Sequence, residues 1–192
     1  MLKSLCNQFK SKFSMIEIEK CVKVIKRGGI ILYPTDTIYG LGCDAYNLSA
    51  IRKINLIKGS DPEKPLIYLM NHINMVKKYV ENIPDFAIDF LLRKKPTTLI
   101  FKNLKSTKLS SDSIAVRIPK SKFCLNIISR LNNPITSTSA NITGLPFPKS
   151  IHEIDNKIID KVDYFVKTDK VSKLNPSSII EIKDNLSFEK IR

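Results

Sequence analysis

The chain has 192 residues, 43% of them apolar and 26% charged, with a formal net charge of +14 and four cysteines. This length suits one domain over residues 1–192, with about the first 14 as an N-terminal extension, and lets roughly two thirds of the unfolded surface be buried. The composition excludes disordered and collagen-like chains, and no uncharged apolar run is long enough to cross a bilayer. The start, MLKSLCNQFKSKF, lacks the apolar core of a signal peptide, so the expected location is the cytoplasm. Cys6, Cys21, Cys43 and Cys124 show no CxxC spacing and no nearby histidine, so they are expected to be reduced thiols and not metal ligands. The positive charge favours an anionic partner, a nucleotide or RNA, although lysines are spread along the whole chain.

In chain order, Ile18, Cys21, Val22 and Ile25 stand at i, i+3, i+4 and i+7, which predicts a helix over 15–27 stopped by Gly28-Gly29. The apolar run Ile30–Tyr33 predicts a buried strand that empties into the loop PTDTIYGLG. A helix capped by Ser49 and running to Lys58 follows, with Ala50, Ile54 and Ile57 on one face, and then the turn-rich GSDPEKP. Leu66–Met70 reads as a strand, residues 72–80 and 85–94 as helices, and Thr97–Phe101 and Ile114–Ile118 as strands. From Ser121, the spacing of Cys124, Ile127, Ile128 and Leu131 predicts a helix. A strand Pro134–Thr138, the polar turn SANITG, a helix opened by a Ser150/Glu153 capping box, and strands Tyr164–Val166 and Ser178–Ile182 complete the chain. This alternation predicts an α/β or α+β fold, a mixed sheet with helices packed on it.

Four polar clusters end these elements: Pro34 to Gly40, Lys58-Gly59-Ser60 with Lys64, Arg117, and Ser137 to Asn141. Hydroxyls, an amide and fixed cations bind anionic oxygens without offering a nucleophile of their own. Each cluster also has a structural explanation: PTDT as a turn, Gly40 and Gly42 as sites of positive φ, STSAN as a capping loop, and Lys58 as a solvated cation at a helix C-terminus. Walker, GxGxxG and HExxH fingerprints are absent, and His72 and His152 stand alone. The residues by themselves support a nucleotide or phosphate site.

PTDTIYGLGCDA, IKGSDPEKPLIYL, TTLIF, SIAVRIP, STSANITG and PSSII, in this order, resemble the YrdC/TsaC family of threonylcarbamoyl-AMP synthases from about residue 16 onward. The resemblance implies a twisted open mixed sheet with a basic concave face that condenses L-threonine, bicarbonate and ATP into threonylcarbamoyl-AMP and pyrophosphate, the donor for a tRNA modification. It implies that Thr37, Arg117, Ser137 and Ser177 hold threonine, with the Arg117 fork on its carboxylate. By the same resemblance Lys58, Ser60, Lys64, Ser113, Ser139 and Asn141 meet ATP, with Mg2+ on the phosphates, and Lys58, Ser139 and Asn141 are the catalytic set. Where the family carries Lys-x-Arg this chain has Lys58-Gly59-Ser60. Losing such an arginine costs a charge-assisted contact of about 1.5 to 3 kcal/mol. The implied partners are double-stranded RNA or tRNA and a downstream threonylcarbamoyl transferase complex, with no membrane. The first alternative is a non-catalytic or weakened paralogue that binds RNA; the second is the carbamoyl-transfer domain of hydrogenase maturation proteins, normally part of a longer chain.

Overall fold

The computed structural model describes residues 14–105, 112–168, 175–183 and 187–192. The expected N-terminal extension, Ser14 aside, and Cys6 lie outside them. The chain order is α1 (Met15–Lys26), β1 (Ile31–Pro34), β2 (Tyr39–Gly42), α2 (Leu48–Ile57), β3 (Ile67–Leu69), α3 (Ile73–Val76), α4 (Asp85–Leu92), β4 (Thr97–Phe101), β5 (Ile114–Arg117), α5 (Lys122–Leu131), β6 (Ile135–Ser139), α6 (Asn156–Ile159), β7 (Tyr164–Phe165), β8 (Ser178–Ile182) and β9 (Phe188–Lys190). The strands form one mixed sheet in the order β7-β1-β2-β6-β3-β5-β4-β8-β9. The α/β reading of the sequence agrees with this architecture.

Both faces of the sheet are covered, which is why the run Ile30–Tyr33 leading through β1 is unbroken in apolar character. Ile31 and Tyr33 of β1 join the core under α1, α4 and α5, while Ile30 and Leu32, pointing the other way, pack with Ala50, Ile54 and Ile57 of α2. The period of two along a strand does this sorting. Local chemistry sets the helix ends: Ser14 and Ser121 accept backbone N–H bonds at the starts of α1 and α5, and Gly28, at φ 82°, closes α1.

The elements expected from the sequence differ from the structure at several points. The cap of α2 is Asn47, whose side chain accepts the Ala50 N–H at 3.0 Å, so Ser49 sits inside the first turn. The helix expected over 72–80 is confined to α3, because Val80 leaves it to bridge Leu104 of the neighbouring segment. Glu153 takes the N–H of Lys149 at 2.9 Å instead of closing a capping box on Ser150; only a short 3-10 turn, Ile151–Glu153, forms there, and Asp155 caps α6. The loop after β1 turns back as β2, antiparallel to β1 with Pro34 opposite Tyr39.

That hairpin changes what its glycines are for. Positive φ belongs to Gly28, Gly59 and Gly144, not to Gly40 or Gly42. A Cβ on Gly42 would lie 2.4 Å from the Thr136 carbonyl oxygen, and one on Gly40 would lie 3.1 Å from Ser137 Oγ. Both glycines let β2 lie close against β6. The strand β6 is the junction of the sheet: Ser139 and Thr138 pair with Gly40 and Leu41, and Ser137 and Thr136 pair with Ile67 and Tyr68 of β3. Ser137, Thr138 and Ser139 of STSAN are therefore strand, and Ala140 and Asn141 open the loop that follows it.

Candidate functional site

At the ends of β1, β5 and β6 the chain encloses a cleft of about 440 Å³. Lys58, Lys64, Arg117 and Arg192 line it, and among the described residues no Asp or Glu does. Thr37, Ser60, Ser137, Ser139, Asn141 and Ser177 also face it. Ser113, immediately before β5, is not among the residues that line it.

One wall is built around Arg117, the last residue of β5, which is 4% exposed. Its NH1 donates to Thr37 Oγ1 at 2.9 Å, and its NH2 lies 3.7 Å from Asp36 Oδ1. The proton order in this network follows from its acceptors. Thr35 donates its hydroxyl to the Ile38 carbonyl at 2.7 Å, so the 2.8 Å contact between the two threonine hydroxyls has Thr37 as donor. Thr37 Oγ1 is thereby fixed as acceptor toward Arg117. Arg117 Nε and both Asp36 carboxylate oxygens are buried without a hydrogen-bond partner among the described residues. Ser177 is anchored through its hydroxyl to Thr98 Oγ1 at 2.8 Å. The Ser177 carbonyl accepts from Arg192 Nε and NH2 at 3.3 and 3.2 Å. Burial, and secondarily the Arg117 guanidinium, lower the pKa of Arg192 from its ordinary value.

The opposite wall carries the lysines. Lys58 follows α2 as its C-cap, but it is buried, with Nζ donating to the carbonyls of Ser139 and Asn141 at 2.5 Å each. It is a built part of the cleft and not a solvated dipole partner. Burial first, and the nearby Lys64 second, pull its pKa down to about 8. Asn141 Nδ2 donates to the Leu145 and Ile142 carbonyls at 2.6 and 3.0 Å, which shapes the loop after β6. Ser60 and Thr143 hydrogen-bond through their hydroxyls, and Thr143 N donates to the Lys58 carbonyl at 2.8 Å.

Among the polar residues that line the cleft, Asn55, Thr143 and Arg192 were not singled out by the sequence. Asn55 stands three positions before Lys58, hence on the same side of the helix, a spacing that could have flagged it. Thr143 belongs to the quoted STSANITG stretch. Arg192 carries no local signal, since its place depends on its backbone pairing with Ile179.

The arrangement can receive a negatively charged ligand with several oxygens along the lysine wall and a carboxylate at the guanidinium wall. The histidines are elsewhere: His152 is exposed, and His72 accepts the Asn74 N–H at the start of α3. Among the described residues no group of three or more His, Cys, Asp or Glu side chains could hold a metal ion, and no helix is long and apolar enough to cross a membrane.

A protein of Methanocaldococcus jannaschii is 35% identical over 174 residues, 88% of this chain and 81% of that one. A threonylcarbamoyl-AMP synthase of Pseudoalteromonas translucida is 31% identical over 179 residues, 89% of this chain and 96% of that one. The structure of Pyrococcus abyssi Sua5 complexed with L-threonine superposes with a TM-score of 0.79 at 26% identity, covering 88% of this chain and 52% of that one. The chain thus spans about half the length of Sua5. The Sua5/YciO/YrdC family, described by the phrase telomere recombination, matches residues 23–192, a stretch that takes in every element lining the cleft, and the chain belongs to that family.

Proposed function

We propose that the chain is a threonylcarbamoyl-AMP synthase, working through residues 15–192 as one catalytic domain. The carrying observation is the cleft itself, with a buried guanidinium beside Thr37 on one wall, two lysines on the other, and no Asp or Glu among the described residues that line it. The M. jannaschii and P. translucida relatives and threonine-bound Sua5 support this reading. L-Threonine sits with its carboxylate on Arg117 and its polar groups near Thr37, Ser137 and Ser177. The triphosphate lies along Lys58, Lys64, Ser60, Ser139 and Asn141, while Arg192 adds positive charge beside Ser177 on the Arg117 wall.

The threonine amine attacks bicarbonate and, with loss of water, gives a carbamate. A carbamate oxygen then attacks the α-phosphorus and pyrophosphate leaves. The protein's contribution is to hold the two nucleophilic steps in line and to neutralise phosphate charge with preset cations. None of the described residues that line the cleft is an Asp or Glu, so a Mg2+ ion brought in with ATP would be held by the nucleotide, and Lys58 and Lys64 would supply the protein's share of charge neutralisation. The class of reaction is nucleotidyl transfer. The product then passes to a transferase complex that modifies tRNA, in the cytoplasm, where the buried thiols Cys21, Cys43 and Cys124 stay reduced.

The test is pyrophosphate release from ATP in the presence of bicarbonate, with and without threonine. Threonine-dependent release is expected. Its absence, together with tight and salt-dependent binding of double-stranded RNA, replaces this reading with the non-catalytic RNA-binding one.

A further inference from the structure

Asn55 is a polar residue in a place that packing alone assigns to an apolar one. It is fully buried on α2, between Ile54 and the buried Ile57 and Lys58. Its side-chain amide donates both hydrogens, to the Pro62 carbonyl at 2.9 Å and the Lys64 carbonyl at 2.8 Å. Both partners are acceptors only, so the orientation of the amide is fixed by chemistry. Its own backbone carbonyl accepts from Lys58 N at 3.1 Å and Ser60 N at 2.9 Å. Residues 58–64 are therefore wrapped around this one residue. The remaining atom, Oδ1, is buried with no partner among the described residues.

An orphaned acceptor in the interior is costly, and leucine would fill a similar volume without it. What asparagine supplies instead is a fixed loop. That loop carries Lys64 to the cleft wall that Lys58 lines, and its charge adds to the larger effect of burial in lowering the Lys58 pKa. The far side of the same loop is fastened by Ser60 to Thr143.

We infer that Asn55 is a positioning residue for nucleotide: by clamping the Pro62 and Lys64 carbonyls it fixes the main chain from which Lys64 reaches the triphosphate, beside a Lys58 ammonium already held by the Ser139 and Asn141 carbonyls. Cations held in place before binding do not lose freedom on binding, which is the source of preorganised affinity. The inference rests on the lysine wall taking the triphosphate, as proposed above.

The experiment compares wild type with Asn55→Leu, measuring ATP binding and threonine binding by calorimetry, KM for each substrate in the pyrophosphate assay, and the melting temperature. Loss of the clamp is expected to weaken ATP about tenfold, in binding and in KM, while threonine affinity and kcat stay within about twofold. An unchanged ATP affinity overturns the inference. So does a parallel loss of threonine affinity with a lowered melting temperature, which marks a purely structural role. If the leucine variant does not fold, Asn55→Ser, too short to reach either carbonyl, is read by the same criteria. A wild type that binds ATP yet releases no pyrophosphate counts against the synthase reading alone, because the ATP affinities still decide the role of Asn55.

Discussion

Ser60 and Thr143 join hydroxyl to hydroxyl at the exposed rim of the cleft, so the loop after α2 is tied to the loop after β6 at the position where the resembled family has an arginine. An exposed, neutral bond of this kind contributes little. Replacing it with a guanidinium adds a charge-assisted contact to a phosphate, about 1.5 to 3 kcal/mol, so Ser60→Arg is expected to lower KM for ATP about ten- to a hundredfold. Steady-state kinetics at saturating threonine checks this. A raised KM would mean that the tie to Thr143 matters more than the charge.

Asn141 has two tasks, of which a smaller residue can keep only the main-chain one. Its amide holds the Ile142 and Leu145 carbonyls, and its own main-chain carbonyl, placed by that loop, accepts from Lys58 Nζ. Asn141→Ala keeps the carbonyl but frees the loop that aims it. The expected result is a fall in kcat/KM for ATP of about tenfold or more, corresponding to the loss of one or two hydrogen bonds in the site. Wild-type kinetics in the alanine variant would remove Asn141 from the machinery.

The fold was legible wherever burial repeats with a helix or strand period. Ile18, Cys21, Val22 and Ile25 in α1, and Cys124, Ile127 and Ile128 in α5, are buried as their spacing requires. The strand β2 was hidden because Tyr39–Gly42 contains two glycines, and glycine in a strand signals a turn unless the close neighbour is known; here that neighbour is the main chain of β6. Likewise the polar clusters were visible as residue types, but their convergence depends on β6 lying between β2 and β3, a long-range pairing that no local pattern encodes. Arg192 and Asn55 show the same limit from the side of the site.

Lys58 gives the cleft a pH dependence. Its pKa is lowered to about 8, chiefly by burial and then by Lys64, from an ordinary 10.5. The cation proposed to meet phosphate is thus lost as pH rises through about 8, and kcat/KM for ATP is expected to fall along that limb. Lys64→Met removes the smaller of the two causes, so the limb should move to higher pH without reaching the ordinary lysine value. Stability has the opposite slope: between about 8 and 10.5 the unfolded chain binds the extra proton, so this group makes the fold more stable as pH rises through that window. Denaturant titrations of wild type and Lys58→Met across the window test the slope, which the methionine variant should lack.

Gly42 is the most constrained glycine of the opening hairpin, and its constraint is contact, not φ. It pairs with Ile31 of β1, and a Cβ there would meet the Thr136 carbonyl at 2.4 Å and the Tyr33 ring at 2.9 Å. The first contact is with main chain, which cannot rotate away, so β6 must shift. Overpacking of this kind costs about 1 to 3 kcal/mol. For a chain of this size that lowers the melting temperature by roughly 2 to 12 °C. Because Ser137 and Ser139 ride on β6, Gly42→Ala should also raise KM for both substrates, unlike the selective effect expected at Asn55. Gly59 makes the contrast: nothing lies within 4 Å of a Cβ there, but its φ is 64°, so alanine is penalised by backbone conformation, and asparagine, which tolerates that conformation, should be the milder substitution. Thermal melts of Gly42→Ala, Gly42→Asn, Gly59→Ala and Gly59→Asn separate the two causes. Asparagine should be milder than alanine at 59 and worse at 42, and the same order at both positions would refute the contact explanation.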